Sequence, residues 1–108
     1  MATKKKLKWN GFSLIQRDTE ERKCFICNSR QNVELHHIFG GSNRDNSTEY
    51  GCVCYLCKHH HTGDINGSAD AVHQNRDFDL MLKRLTEDLW CERYGNKDDF
   101  IRIFGKWW

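Results

Sequence analysis

The chain has 108 residues and a mass of 12.8 kDa, which is the size of one small domain and excludes a multi-domain machine. No apolar run approaches the roughly eighteen residues of a membrane span, and no apolar stretch follows the basic N-terminus as in a secretory signal. Six cysteines and six histidines form a ninth of the chain. Because a chain that is not exported stays in a reducing cytoplasm, we expect metal binding rather than disulfides.

The first segment, residues 1–23, is predicted to be a basic arm. The net charge is only +2, but residues 1–30 carry eight Lys or Arg against three Asp or Glu, whereas residues 31–108 carry nine against twelve. Such a distribution is typical of attraction to a phosphate backbone, and a solvated tail is the alternative interpretation. The nucleic-acid-binding candidates in this arm are Lys4, Lys5, Lys6 and Lys8.

The middle segment, residues 24–67, holds most of the Cys and His residues. Two runs in it, residues 33–38 and 52–56, are rich in strand-forming residues and border glycines. A polar loop is predicted between them over residues 42–50. The predicted order is therefore a Cys-containing turn, a strand, a loop, a second strand, a second ligand-bearing turn and a helix.

Residues 68–108 show helical periodicity. Apolar side chains recur there at steps of three and four residues, which predicts the buried face of an amphipathic helix. This helix is expected to begin at an N-cap, Ser68 or Asp70, and to end before Gly95. A second helix is predicted over residues 98–104, with aspartates at its positive end. The predicted core residues of both helices are Phe78, Met81, Leu82, Leu85, Leu89, Trp90, Phe100, Ile103 and Phe104.

Two short pairs of metal-binding side chains, Cys24-x-x-Cys27 and Cys57-x-x-His60, have the same two-residue gap. Such short turns direct both ligand atoms at one ion, so the pairs predict a tetrahedral Cys3His site for structural Zn²⁺. His59 is an alternative fourth ligand, although the equal gap favours His60. A redox role for a single Cys-x-x-Cys is less consistent with the sequence, because no βαβ pattern surrounds it. The unpaired thiols, expected to be small and buried, are Cys52, Cys54 and Cys91.

Three further histidines, His36, His37 and His61, are not needed by a zinc ion that already has four ligands. Adjacent residues on a strand point to opposite faces, so His36 and His37 cannot line one flat surface. One of them could bind an ion while the other reaches a substrate from another direction. The alternative is that one packs in the core and the other is solvated.

The order of these residues resembles the zinc-stapled HNH endonucleases, a family with a ββα-metal fold. The residues that carry the resemblance are Cys24-x-x-Cys27, Glu34-Leu35-His36-His37-Ile38 and Leu56-Cys57-x-x-His60-His61. Residues 37–44 and 99–105 also look like the small HNH proteins of phages and prophages. The resemblance implies an α+β fold in one domain, with a ββα-metal core over residues 24–75 and a helical part over residues 76–108.

Carried over by position, the family pattern implies a role for each histidine. His36 and His61 become ligands of a catalytic divalent metal, and His37 becomes the general base that activates water. His73 is a further candidate ligand, with an ordinary helix-surface histidine as the alternative. The middle Asn of the family pattern is missing where the second strand begins, so Asn43 or Asn46 is the candidate for bracing the strand that carries the base. The implied structural zinc ligands are Cys24, Cys27, Cys57 and His60, and Arg44 is a candidate phosphate clamp.

The resemblance further implies hydrolysis of DNA phosphodiester bonds to 5′-phosphate and 3′-hydroxyl ends, in the cytoplasm of a bacterial host. An imidazole base and a cation are the groups that this reaction needs. The implied catalytic metal is Mg²⁺ or Mn²⁺, with Zn²⁺ or Ni²⁺ as further candidates, and the implied partners are double-stranded DNA and a phage or host protein. The alternatives are an inactive nucleic-acid- or protein-binding module on the same scaffold, and a metal-storage or redox protein.

Overall fold

The fold, described by a computed structural model for residues 8–63 and 70–108, belongs to the α+β class that the sequence predicts. Within these residues it contains two strands, β1 (Val33–His37) and β2 (Val53–Cys57). The helices there are α1 (Arg44–Tyr50), α2 (Lys58–His61), α3 (Arg76–Arg93) and α4 (Lys97–Phe104), with a 3₁₀ turn at Gly41–Asn43 before α1. In the part of the chain that the structure describes, none of the helices has the length and apolarity needed to cross a bilayer.

The two strands pair antiparallel, from Val33 opposite Cys57 to His37 opposite Val53. Both predicted strands are confirmed to within one residue at their ends. Successive side chains of a strand face opposite sides, and β1 accordingly buries His36 while it leaves His37 partly exposed. The hairpin thus separates the two adjacent imidazoles, as the sequence predicts.

The predicted polar loop over residues 42–50 is wrong, because most of this segment forms helix α1. The helix has no apolar face for a periodicity argument to detect. Its buried residues are Ser47 and Thr48, and the Ser47 hydroxyl donates to the carbonyl of Phe39 (2.7 Å) and accepts from the N–H of the same residue (3.1 Å). Gly51 ends the helix in the left-handed conformation (φ 75°), where a residue without Cβ is favoured.

Helix α3 begins later than the sequence predicts. Its N-cap is Asn75, whose side-chain oxygen accepts from the backbone N–H of Phe78 (3.0 Å). Asp70 is therefore not the cap, and Ser68 lies outside the described residues. Of the apolar face, Leu82 and Trp90 are fully buried, whereas Met81 and Leu85 are 48% and 39% exposed, so their assignment to the core is wrong.

Helix α4 begins at Lys97 with a reciprocal capping box between Asn96 and Asp99, one residue before the predicted start. Its Phe100 and Phe104 rings stack at 4.3 Å and pack with Phe39 and Trp90 in an aromatic core. Both C-terminal tryptophans pack back onto this core. The core therefore lies between α3, α4 and the segment that follows β1.

Candidate metal centres

The first candidate centre joins the turn before β1 to the end of β2 and to α2. Cys24 and Cys27 come from the turn, Cys57 is the last residue of β2 and His60 lies in α2. The Sγ atoms of Cys27 and Cys57 are 3.8 Å apart, and the Nδ1 atom of His60 lies 3.3 Å from Sγ of Cys57 and 3.7 Å from Sγ of Cys24. The two predicted ligand pairs are therefore brought together.

These distances suit four ligands of one tetrahedral ion. With Zn–S bonds near 2.3 Å and Zn–N bonds near 2.0 Å, neighbouring ligand atoms lie roughly 3.5–3.8 Å apart. A disulfide would require about 2.05 Å between sulfurs, and all six cysteines are free. The alternative ligand His59 lies 3.2 Å from the carboxylate of Asp70 instead. The Cys3His cluster of Cys24, Cys27, Cys57 and His60 thus fits a structural zinc ion.

Protonation favours metal binding at two of the four ligands, Cys24 and His60, whereas burial raises the pKa of the Cys57 thiol. Burial raises the pKa of the Cys24 thiol, but backbone hydrogen bonds from Cys57, Cys27 and Ile26 outweigh it and hold the pKa below its usual range. Burial lowers the pKa of His60, which keeps its imidazole neutral. Thiolate sulfur and neutral imidazole nitrogen are the forms that bind zinc.

The second candidate centre is a cluster of three imidazoles, His36, His61 and His73, each of which offers one ring nitrogen within 4.8 Å of the others. The Nε2 atoms of His61 and His73 are 3.1 Å apart, and the ring of His36 lies 5.1 Å from that of His61 and 5.3 Å from that of His73. The candidate ligand His73 reaches this place because the residues before α3 return to α2, where its N–H donates to the carbonyl of His61 (3.1 Å).

His36 carries the clearest sign of a ligand. It is only 4% exposed, and its Nε2 atom is one of the few buried polar atoms without a hydrogen-bond partner among the described residues. An unsatisfied buried polar group costs about 1–3 kcal/mol, and a bound cation would satisfy it. Burial, followed by the like charges of His61 and His73, lowers the pKa of His36 to about 3, so the ring is neutral and can bind a metal.

An acidic side chain orients the middle member of this cluster. Nδ1 of His61 lies 3.4 Å from Oε1 of Glu34. Because a carboxylate can only accept, Nδ1–H donates to it, and Nε2, which faces His73, keeps its lone pair. Metal-binding histidines commonly donate their other N–H to a carboxylate in this way. The sequence contains Glu34 within the resembling motif, but its contact with His61 depends on the strand pairing with β2 and was not predicted.

His37 lies beside the three-imidazole cluster but outside it. Together with His36, Gly40 and His73 it lines two cavities, of about 290 Å³ and about 480 Å³. Arg44 lines the smaller cavity, and Arg76 and Lys83 line the larger one. We call these two cavities together the histidine cleft.

One side chain that contacts His37 is Thr48, whose Oγ1 lies 3.1 Å from Nε2 of the imidazole. The two brace candidates bond helix α4 instead of the strand that carries His37. The Asn43 amide donates to the carbonyl of Phe104 (2.8 Å), and the Asn46 amide donates to the carbonyl of Ile103 (3.1 Å). Both asparagines therefore anchor α4 to α1. Sequence reasoning missed Thr48 because it predicted a loop where α1 forms.

The cationic candidates divide between the cleft and the N-terminal segment. Arg44 lines the cleft, as a phosphate clamp would, whereas Lys8 is exposed and Lys4, Lys5 and Lys6 lie outside the described residues. The rest of the basic arm packs on β2, where Gln16 accepts from the N–H of Tyr55 (2.7 Å). The additional cleft cations on α3 are Arg76 and Lys83, and Lys83 forms an ion pair with Asp79 (2.7 Å).

The remaining thiols do not form a reactive group. Cys52 and Cys54 are fully buried, and burial raises their pKa values far above the usual range. Burial also raises the pKa of Cys91, which is partly exposed. Reactive cysteines need a lowered pKa and solvent access, so these three thiols argue against a redox protein.

Comparison with known proteins does not provide a family for this chain. None of the protein-family models, curated proteins or solved structures that were compared with it matches. The class of protein is therefore inferred below from the two clusters and from the side chains that surround them.

Proposed function

We propose that this protein is a metal-dependent endonuclease of the HNH type, which hydrolyses phosphodiester bonds in double-stranded DNA. The observation that carries the proposal is the placement of His37 in one cleft with a three-imidazole cluster. Arginine and lysine side chains line the same cleft on both sides of the histidines. A nucleophile-activating base, a candidate metal site and phosphate-binding cations are the parts that phosphodiester hydrolysis requires.

The order of elements also supports an HNH-like core. β1 carries His36 and His37 at its end, β2 returns antiparallel, and α2 follows immediately with His61. In this interpretation α2 begins the α element of the ββα-metal core, and His73 supplies a third imidazole from the segment before α3. The Cys3His cluster would act as the structural zinc site that joins the same strands at their other end.

In the proposed reaction, His37 accepts a proton from a water molecule whose oxygen attacks phosphorus. The bond between phosphorus and the 3′ oxygen breaks, solvent supplies the proton to that oxygen, and the products carry 5′-phosphate and 3′-hydroxyl ends. Arg44 on one side, and Arg76 and Lys83 on the other, hold neighbouring phosphates. His36, His61 and His73 would hold a divalent ion, which when bound supplies positive charge that stabilises the transition state.

The donor set points to the class of metal. Three imidazole nitrogens suit borderline transition metals such as Zn²⁺ and Ni²⁺, whereas Mg²⁺ prefers carboxylate, carbonyl and water oxygens. No carboxylate belongs to this cluster among the described residues. We therefore propose Ni²⁺ or Zn²⁺ ahead of Mn²⁺ and Mg²⁺, which prefer oxygen ligands, as the ion that supports activity.

The alternative function, a zinc-stabilised binding module without turnover, is favoured by one observation. The side-chain amides of Asn43 and Asn46 bond α4, so neither braces the strand that carries His37 as the family's middle Asn would. The same cations would then bind a nucleic acid without cleavage. This alternative predicts DNA binding in which His37→Ala has no effect.

Plasmid nicking tests the proposal directly. Zinc-loaded wild-type protein is incubated with supercoiled DNA and Ni²⁺, Mn²⁺ or Mg²⁺, beside His37→Ala and the matched control His59→Ala. His59 is an exposed histidine of α2 outside both clusters, so its loss removes an imidazole without touching the cleft. A general base typically contributes about 10²- to 10⁴-fold to the rate, so the nicking rate of His37→Ala should fall by at least about 10²-fold.

The outcomes separate the two functions. Nicking by wild type and His59→Ala, with almost none by His37→Ala of equal zinc content and melting temperature, supports the nuclease. Absence of nicking by folded wild type with every ion, together with a retained gel shift, supports the binding module. Equal nicking by wild type and His37→Ala would contradict the role of His37.

A further inference from the structure

We propose that Thr48 is the positioning residue of this site, which fixes His37 in the tautomer that carries its proton on Nε2 and presents the Nδ1 lone pair. The hydrogen-bond part of this proposal stands on the geometry alone. Its consequence for catalysis rests on the proposed nuclease function. The two parts can therefore fail separately.

The single proton of the Thr48 hydroxyl decides which tautomer of His37 it can bond. Its Oγ1 lies 3.1 Å from Nε2 of His37 and 3.1 Å from the carbonyl oxygen of Arg44. A carbonyl oxygen can only accept a hydrogen bond, and a hydroxyl has only one proton to donate. Both contacts are hydrogen bonds only if Thr48 donates to Arg44 and accepts from an N–H at Nε2 of His37.

The surrounding fold holds this hydroxyl in place. Thr48 is buried in α1, and the contact to the Arg44 carbonyl is the bond to the preceding helical turn that threonine commonly makes. The adjacent Ser47 ties the same helix to both backbone groups of Phe39, two residues after His37. α1 and the segment that follows β1 are thus fixed to each other beside the Thr48–His37 contact.

The arrangement also suits a group that must take up a proton. When neutral His37 accepts a proton at Nδ1, its Nε2–H continues to donate to Thr48, so this hydrogen bond does not need to rearrange. A donor at the same place would instead occupy Nε2 and stabilise the opposite tautomer. An orienting hydrogen bond on the far nitrogen is how bases in hydrolytic sites are commonly held.

The test compares Thr48→Val, Thr48→Ser and Ser47→Ala in the full-length, zinc-loaded protein. Valine keeps the shape of Thr48 without its hydroxyl, serine restores the hydroxyl, and Ser47→Ala removes a neighbouring buried hydroxyl that bonds Phe39 instead of His37. Ring ¹⁵N chemical shifts of His37, measured at pH 8.5, report the tautomer without any need for activity. Steady-state cleavage supplies kcat and KM separately.

We expect wild type and Thr48→Ser to hold His37 in the Nε2–H form, and Thr48→Val to show a mixture of tautomers. In Thr48→Val kcat should fall about 10-fold or more, because a misplaced general base loses part of its contribution to the rate. KM should change less than about 2-fold. Ser47→Ala should retain the Nε2–H tautomer and lose less kcat than Thr48→Val, even if it melts at a lower temperature, because the hydroxyl that contacts His37 is still present.

Several results would overturn the proposal. One is an Nδ1–H tautomer in wild type, and another is a tautomer ratio in Thr48→Val equal to that of wild type. An equal loss of kcat in Ser47→Ala would show that α1 acts only as structure. If wild type does not cleave DNA at all, the nuclease function fails, and the ¹⁵N shifts still decide whether Thr48 sets the tautomer.

Discussion

The two histidine-containing clusters of this small protein differ in how many protein ligands they contain. The Cys3His cluster has four, the full set for a tetrahedral structural zinc ion. The second cluster has three imidazoles and borders a cleft lined by cations and by His37. A centre with three protein ligands retains room for water or substrate, which is the usual difference between catalytic and structural sites.

The two clusters also depend on each other unequally. Helix α2 supplies adjacent histidines to both, with His60 in the Cys3His cluster and His61 in the three-imidazole cluster. Zinc at the first cluster would fix α2 against the strands and so place His61. An ion at the second cluster would also join β1 to α2, but with three imidazoles and no thiolate it would be the weaker of the two links. Loss of the first site should therefore abolish the second, whereas loss of the second should spare the first.

The largest expected effect comes from Cys27→Ser in the Cys3His cluster. Structural zinc contributes on the order of 10 kcal/mol in small zinc domains, which is comparable to the whole stability of a domain. The variant should lose its zinc, its cooperative thermal unfolding and the second ion together. Mass spectrometry under native conditions and circular dichroism measure these changes.

Cys91→Ser is the matched control, because Cys91 lies outside both clusters. It should retain zinc and unfold cooperatively. A folded Cys27→Ser variant that still bound an ion at the three histidines would contradict the proposed dependence of the three-imidazole cluster on the Cys3His cluster.

A smaller and more local effect is expected for His73→Ala. His73 is exposed and belongs to the three-imidazole cluster and not to the Cys3His cluster, so zinc content and melting temperature should stay close to those of wild type. Affinity for Ni²⁺ at the second cluster should fall at least about 100-fold, more than a supporting residue usually contributes. Calorimetric titration of zinc-loaded protein measures it, with His59→Ala as the control, and unchanged Ni²⁺ affinity would exclude His73 from the site.

Glu34→Ala should weaken the second site by less. The Glu34 carboxylate contacts Nδ1 of His61, and loss of such an orienting partner typically costs about 10- to 100-fold in metal affinity. The same Ni²⁺ titration measures the loss, with Glu49→Ala, an exposed carboxylate of α1, as the charge-matched control. If both variants lose affinity equally, general charge and not orientation explains the effect.

The smallest effect concerns a residue in neither cluster. Burial raises the pKa of Glu87, although its Oε2 accepts from the N–H of Trp108 (2.7 Å). A raised folded-state pKa means that the stability this carboxyl contributes is present below its unfolded pKa and is lost as the pH rises through the folded pKa. Glu87→Gln should therefore melt a few degrees higher than wild type at pH 7.5, with the difference closing toward pH 4.

Comparing the variant with wild type at each pH removes the contribution of the metal ligands, which both proteins share. A difference in melting temperature that grows toward pH 4 would contradict the sign of the pKa shift. Because Glu87 contacts neither cluster, Ni²⁺ affinity should be unchanged, which gives a baseline for the cluster variants.

The sequence predicted the elements whose patterns are local. Both strands follow from runs of strand-forming residues beside glycines, and the two ligand pairs follow from their two-residue gap. Helix α4 follows from its apolar spacing and its acidic first turn. These features depend on residues within a few positions of each other, so a single sequence is sufficient to identify them.

The features that the sequence did not predict depend on tertiary contacts. Helix α1 has a polar sequence, and hydrogen bonds from Ser47 to Phe39, eight residues earlier in the chain, support it. Thr48 contacts His37, whereas the side-chain amides of Asn43 and Asn46 bond α4. The start of α3 at its N-cap Asn75 and the exposure of Met81 and Leu85 likewise depend on how the helix packs, which local periodicity does not specify.

Cobalt spectroscopy tests the difference between the two clusters most directly. Zinc-loaded protein is titrated with Co²⁺, and thymidine 5′-monophosphate is then added as a phosphate probe. We predict one Co²⁺ per chain without thiolate-to-cobalt charge-transfer bands, a visible spectrum that changes when the nucleotide is added, and loss of both signals in His73→Ala. Failure to bind Co²⁺ while zinc is retained, or thiolate bands showing that cobalt only replaces zinc, would contradict an open three-histidine site.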